Sequence, residues 1–491
     1  MRLWIGVHLP LLPLEVFQPQ WCESGPRAVL EQERVMALNR EAAALGVRAG
    51  LRRGGVLALA PEVVLHERDA AREQQALHAI VTSLLQYTPE VAFDGDAQLV
   101  LDVTASLRAF GGRLALCRRV GSTLRALGYS ARLGMAPTAL GARLLACAPR
   151  QPLRRRRVLR LERLAAVLDV LPFGLLAAAR AHADWLEGIG CSTLGELRRL
   201  PRAGLQRRSS KLLLEELDRA YGQAPELHEW VVAPPVFAAH AELPYRTEHA
   251  DAILFSANGL LLQMVGWLVA QQLAVTCVQL TMEHERGRTA VPPTLLEIAL
   301  AEPAWQEAHL LRLLKERLGR LELVAPVIGL RLQALQLQPL APPTASLFPE
   351  PGGTPADYHR LLELLVARLG EDAVLAPAPV ADHRPEVCNR WLPATRASDK
   401  RGRPADALPR TERPFWLLDK PLPLLVREHR PFYGSPLRLA SAPERIESGW
   451  WDGNFAARDY FIAIGAESAC YWVYRERAGD EVRWFLHGLF A

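Results

Sequence analysis

A chain of 491 residues is too long for one hydrophobic core, and its length predicts three or four domains. Half of the residues are hydrophobic, so most of the chain can fold, and a net charge of +5 does not by itself argue for a nucleic-acid partner. The basic residues are nonetheless almost all arginine. Lysine occurs only as Lys211, Lys315, Lys400 and Lys420, a bias that a GC-rich genome produces and that also suits phosphate binding. The cysteines (Cys22, Cys117, Cys147, Cys191, Cys277, Cys388 and Cys470) are dispersed and form no C-x-x-C pair. That pattern points to a reducing compartment and away from a zinc site. Pro10, Pro13 and Glu15 break the first apolar run too early for a secretory signal. No uninterrupted apolar run reaches about 18 residues, so a cytoplasmic protein with no membrane partner is expected.

In chain order, RLWIGVHLPLLPLEVF (2–17) begins as a strand with Leu3, Ile5, Val7 and Leu9 on a core face and Trp4, Gly6 and His8 on the other. Residues 68–87 have the period of an amphipathic helix, with Ala76, Ile80, Leu84 and Tyr87 in one stripe. VAFDGDAQLVLDVT (91–104) reads as a hairpin around D-G-D. A helix over about 114–127, the strand ARLGMA and a helix opened by Pro137 follow. From about 160 to 225 the pattern is helical and rich in leucine and arginine, punctuated by Pro172 and Pro201. Residues 231–340 run strand, helix, strand, strand, helix, strand, a split βαβ arrangement with a four-stranded sheet, and a parity shift predicts a bulge near Ala334 and Leu335.

Residues 339–355 read as a proline- and glycine-rich linker with one apolar island, Leu347-Phe348, followed by a helix near 356–369 and a weakly patterned, proline-rich stretch over 376–440. An aromatic block fills 444–491, where DYFIAI, CYWVYRE and VRWFLHG read as a three-stranded meander. Both of its parities carry aromatics, and so small a sheet buries only one face by itself, so the other face is expected to dock on the rest of the chain or on a partner. No G-x-S-x-G, G-x-x-x-x-G-K or H-E-x-x-H occurs.

The first strand, the helix and the hairpin resemble the palm of Y-family DNA polymerases. In that family the first strand ends in a D-x-D-x-F-F-like element, and the hairpin carries an adjacent D-E followed by a hydrophobic pair and D-V-T. LDVTASLRAFGG (101–112) resembles the segment after the D-E pair, and Glu15 resembles the glutamate that ends the first motif. Counting from these anchors, Gly6 and His8 occupy the two first-strand aspartate positions, and Ala97 and Gln98 the D-E positions. Two-metal phosphoryl transfer needs several carboxylates. Glycine and alanine offer no ligand, glutamine is neutral, and histidine is a poor ligand for Mg²⁺, so no metal, no cofactor and no catalysis are expected. Leu9-Pro10-Leu11 also replaces the aromatic pair of the family. An active, divergent polymerase would have to rebuild the site from Asp94, Asp96 or Asp102.

WLEGIGCSTLGELRRLPRAGLQRR (185–208) resembles the family's thumb, and G-I-G at 188–190 resembles a helix-hairpin-helix turn whose backbone N–H groups meet DNA phosphate. Gly188 and Gly190, with Arg154, Arg155, Arg156, Arg157, Arg207 and Arg208, are therefore the expected DNA-backbone contacts. Residues 231–340 resemble the little finger, which grips DNA without reading sequence. ERIESGWWDGNFAARDYF (444–461) and WFLHGLFA (484–491) resemble the ImuB proteins, inactive Y-family homologues of bacterial mutagenesis cassettes. That resemblance implies a non-catalytic adaptor in translesion synthesis. It also implies three partners besides DNA: the sliding clamp, a RecA-like accessory protein and an error-prone C-family polymerase. TASLF (344–348) resembles a clamp-binding peptide through Ser346, Leu347 and Phe348, and the tail aromatics Trp450, Trp451, Trp472, Trp484 and Phe485 are the expected partner contacts.

The expected fold is thus α+β and multidomain. It comprises palm and reduced fingers over 1–160 (fingers about 20–65), a helical thumb over 161–228, a little finger over 229–340, a linker over 341–443 and an aromatic β module over 444–491.

Overall fold

The computed structural model describes residues 2–20, 25–148, 156–285, 291–340, 355–394, 412–466, 468–477 and 482–490, arranged as two compact units, residues 1–353 and 354–491.

In the first unit, four antiparallel strands form the palm. The first strand, Trp4–His8, lies between the return strand of the hairpin, Gln98–Asp102, and a closing strand, Arg132–Ala136, with Val91–Phe93 at the far edge. The alternation read from the sequence sorts the two faces. Leu3, Ile5, Val7 and Leu9 are buried with Ile80 and Leu84 of the helix Ala70–Leu84 and with Leu116 and Val120 of the helix Arg113–Ala126. Each such side chain contributes about 1.5–3 kcal/mol by leaving water. Trp4, Val100 and Ala136 face the opposite way and share a core with the helix Ala139–Cys147 and the thumb leucines. The fingers are a three-stranded sheet, with Arg27–Glu31 between Arg34–Leu38 and Val64–Glu67. The thumb is a run of short helices from Leu161 to Ala220.

The little finger has the expected element order, from Ala238–Thr247 to Val327–Pro339. Its sheet places Leu273–His284 and Val327–Pro339 in the centre, so each strand–helix–strand unit has a strand of the other unit inserted between its own two. The register of the last strand shifts between Ala334 and Gln336, at the predicted bulge. The helix Ala250–Gln271 is long and apolar enough to cross a membrane, yet ten of its residues are buried within the unit. It packs on Ala70–Leu84 so closely that a Cβ on Gly266 would lie 1.9 Å from the Thr82 carbonyl oxygen.

In the second unit, the aromatic block belongs to a larger sheet than the expected three-stranded meander. Eight strands take part, and Trp416–Arg427 pairs with the last strand, Trp484–Leu489. The folded module therefore begins well before residue 444, and the expected linker over 341–443 is corrected for its described residues, 355–394 and 412–443. Helix Pro355–Leu369 and the hairpin Leu375–Pro379 with Asn389–Pro393 also belong to this unit.

Candidate functional site

One rung of the palm sheet carries three of the residues singled out in the sequence or beside them. His8 lies directly between Gln98 on the return strand and Arg132 on the closing strand. Opposed residues of antiparallel strands point to the same face, so all three project toward the face covered by Ala139–Cys147. One rung back, Gly6 and Gly134 lie side by side. They form a saddle for that helix. A Cβ on Gly6 would lie 2.5 Å from the Ala142 carbonyl carbon and oxygen, and a Cβ on Gly134 would lie 2.1 Å from the same oxygen. An aspartate at position 6 has no room there. Ala97 sits in the hairpin turn at φ +53° and accepts a backbone hydrogen bond from Leu9 at 3.0 Å.

The buried cation of this site is Arg143, which the sequence reading missed. It is 7% exposed, donates from Nη1 to Gln98 Oε1 at 3.1 Å and pairs through Nε with Asp94 Oδ2 at 3.2 Å. The signal was present: ALGARLLAC is an apolar helix with one charge, and a buried charge requires a partner. His8 Nδ1 is buried without a hydrogen-bond partner, and burial followed by the Arg132 charge holds the ring below its usual 6.5, so it is neutral at pH 7. Glu15 is buried and accepts from the Ser130 N–H at 2.8 Å; burial pushes its carboxyl above the usual range.

The three carboxylates of the rival catalytic arrangement are not brought together. Asp94 is engaged by Arg143, and Asp96 is exposed in the turn. Asp102 lies opposite Trp4, four residues and so about 13 Å along the strand from Gln98. There it accepts from Thr104 N at 2.9 Å and Thr104 Oγ1 at 2.5 Å. Among the described residues no group of three His, Cys, Asp or Glu side chains could hold a metal ion. The side chains at Gly6, His8, Ala97 and Gln98, two of them with no ligand atom, do not fit a pair of divalent cations, which require hard anionic oxygens.

The thumb hairpin joins Ala183–Gly188 to Leu194–Arg199, and Gly190 takes φ +77°, which favours glycine. Its backbone donors are already used. Ile189, Gly190 and Cys191 donate to the carbonyls of Trp185, Glu187 and Leu186; Leu194 and Gly195 donate to those of Leu171 and Asp169. Ser192 and Thr193 donate to the Glu196 carboxylate at 2.8 and 3.0 Å, and these bonds, led by the Ser192 N–H, bring its pKa down to about 2. The expected phosphate contact at the Gly188–Gly190 turn is thus corrected: the Gly190 N–H is spent on the Glu187 carbonyl, and the N–H groups just after the turn, Ser192 and Thr193, are held by the Glu196 carboxylate. Arg207 and Arg208 are exposed at the end of Arg202–Arg208. Arg156 and Arg157 run beside the closing strand, where the Arg156 carbonyl accepts from Met135 at 2.8 Å. Arg154 and Arg155 lie outside the described residues, as do Ser346, Leu347 and Phe348.

Residues 14–147 match the family described as IMS: impB/mucB/samB. Over 484 residues, 91% of this chain and the whole of the relative, the sequence is 28% identical to Protein ImuB of Caulobacter vibrioides strain NA1000 / CB15N, and equally so to that of strain ATCC 19089 / CIP 103742 / CB 15. The chain is ImuB-like. Among solved structures it is similar to the insertion ternary complex of Dbh DNA polymerase, at 18% identity and a TM-score of 0.39, covering 68% of this chain and 99% of that one. DinB from Sulfolobus solfataricus gives 17%, 0.38, 68% and 98% in the same order.

The ImuB-like tail separates its aromatics into core and surface. Trp472 is 2% and Trp484 7% exposed. Trp472 packs with Tyr460, Tyr474 and Ile446, stacked on Tyr460 at 4.0 Å; Trp484 packs with Phe461, Val473 and Leu486 on the other face. Phe485 is half-buried and stacks on Tyr474. The expected partner contacts at Trp472 and Trp484 are thus corrected to core residues, with Phe485 packed beside them. The added strands complete one face, while Arg413 over Trp472 and Arg458 over Tyr474 cover the other. Trp450 and Trp451 remain outside, 75% and 53% exposed, beside Phe455 at 55%. Their loop is built around Arg384, which is buried and bonds Asp382, Asp452 and the Asn454 carbonyl. Gly449, at φ +84°, is required there, since a Cβ would meet the Asn454 carbonyl oxygen and the Arg384 guanidinium.

Proposed function

We propose that this ImuB-like chain is a non-catalytic adaptor that binds primed or damaged DNA with a polymerase-shaped body and transfers no nucleotide. It brings the sliding clamp and an error-prone C-family polymerase, with a RecA-like accessory protein, to sites of translesion synthesis in the bacterial cytoplasm. The observation that carries this reading is the palm rung: a Gly6–Gly134 saddle closed by helix backbone, with Arg143 holding Asp94. Such a site has exchanged the cation-binding carboxylates of a polymerase for an internal cation.

The adaptor role is tested by retention of labelled clamp on immobilised primed DNA. Added chain is expected to raise clamp retention, and the double variant Leu347→Ala, Phe348→Ala to abolish the gain. Capture of the C-family polymerase is expected to depend on Trp450 and Trp451. Clamp retention that is unaffected by the chain would end the adaptor reading.

A further inference from the structure

The palm rung has more positive charge than it neutralises. Arg132 stands opposite His8, and Arg143 reaches over Gln98 from the covering helix. Arg156 lies on the segment bonded to the outer edge of the closing strand. The charges are close enough to act on one another's surroundings: Arg132 depresses both His8 and Arg156 after burial does, and Arg143, Arg132 and Arg180 all act on the half-buried Cys147 thiol, as Asp94 does. Asp94 forms an ion pair with Arg143 at 3.2 Å. Among the described residues no carboxylate pairs with Arg132, Arg156 or Arg180: Asp96 is exposed in the hairpin turn, and Glu226 is spent on the N–H groups of Ala139 and Leu140 at 2.7 and 2.6 Å.

Polar atoms in this cluster are also left over. His8 Nδ1, Arg143 Nε and Arg156 Nε are buried and have no hydrogen-bond partner. A buried donor without an acceptor costs about 1–3 kcal/mol, and an unpaired cation more. A fold that keeps the Arg156 guanidinium donor unpartnered near Arg132, which has no carboxylate of its own among the described residues, is suited to an anionic acceptor from outside.

We infer that the rung around His8, Arg132 and Arg156 is a metal-free binding site for a phosphate oxyanion, supplied by a nucleic-acid strand or by a free nucleotide. Guanidinium groups then do there what divalent cations do in a two-metal site: they neutralise phosphate oxygens, without activating a nucleophile. Arg143 is held by Asp94 and sets the floor of the site, while Arg132 and Arg156 supply free charge. The inference rests on the DNA-binding reading above and deepens it.

The test uses the full chain in EDTA. Fluorescence anisotropy measures binding of primed DNA as a function of salt, and calorimetry measures binding of a deoxynucleoside triphosphate and of inorganic triphosphate. Arg132→Ala and Arg156→Ala are each expected to weaken binding roughly 3–10-fold and to reduce the slope of log K against log salt by about 1, while EDTA has no effect. Arg132→Lys keeps the charge and is expected to restore most of the affinity, which separates charge from packing. Loss confined to the DNA arm identifies a strand phosphate, and loss confined to the triphosphate arm a nucleotide. Wild-type binding that the alanine variants leave unchanged, or that requires Mg²⁺, overturns this site alone. A wild-type chain that binds no DNA overturns the DNA reading itself.

Discussion

The Gly6–Gly134 saddle predicts a sign as well as a size for substitutions at position 6. Gly6 lies in a regular strand outside the positive-φ set, so alanine is allowed there by the backbone. In open space, Gly6→Ala would be neutral or would stabilise by about 0.4–1 kcal/mol through the unfolded chain. Here the new Cβ would meet helix backbone at 2.5 Å, and backbone cannot turn aside as a side-chain tip can. The helix Ala139–Cys147 must shift, at a cost of about 1–3 kcal/mol for overpacking. Gly6→Asp adds a carboxylate without solvation, which brings the loss to about 3–5 kcal/mol. At about 2–4 °C per kcal/mol for a domain of palm size, the aspartate variant melts roughly 6–20 °C lower. Urea unfolding followed by circular dichroism checks both variants. A Gly6→Ala protein at least as stable as the parent would refute the saddle, and with it the argument that the site has no room for the missing carboxylate.

Further outcomes follow from the same packing. Arg143→Met removes the partner of Asp94, and with Asp94 partly exposed the expected loss is about 2 kcal/mol, read as a lower urea midpoint; an additional Asp94→Asn is expected to recover part of it. Gly449→Ala forces a Cβ against Asn454 and Arg384 in a left-handed backbone, and is expected to cost more than 1 kcal/mol and to alter the near-ultraviolet signal of Trp450 and Trp451. His487, bonded through Nδ1 to the Tyr460 hydroxyl at 2.8 Å, is held by burial at a pKa of about 4 against 6.5 when unfolded. Its lowered folded value means that the unfolded chain takes up the proton first, so stability is full above pH 6.5 and falls as the pH drops toward 4. The difference between parent and His487→Gln urea midpoints across that window isolates the effect, and a difference that does not change with pH would contradict it.

The palm was legible because its pattern is local. Leu3, Ile5, Val7 and Leu9 alternate without interruption and are buried together. The register that sets Gln98 across from His8 came only from the structure. The little finger was legible for the same reason, down to the bulge at Leu335. The strand Trp416–Arg427 was not, because Pro421 and Pro423 interrupt its pattern and its pairing slips between Leu417 and Leu422. Missing that strand made Trp472 and Trp484 look like surface residues. The thumb turn showed its shape in G-I-G, but not the fate of its N–H groups, which Glu196 and the carbonyls of Asp169 and Leu171 settle at longer range. Arg143 acts across the sheet on Asp94 and Gln98, a contact that no periodicity encodes.

Primer extension tests the central claim most directly. Purified chain, primed template, all four nucleotides and either Mg²⁺ or Mn²⁺ are expected to give no product above a blank without protein. Extension that co-purifies with the chain and disappears in Asp94→Ala or Asp96→Ala would contradict the account.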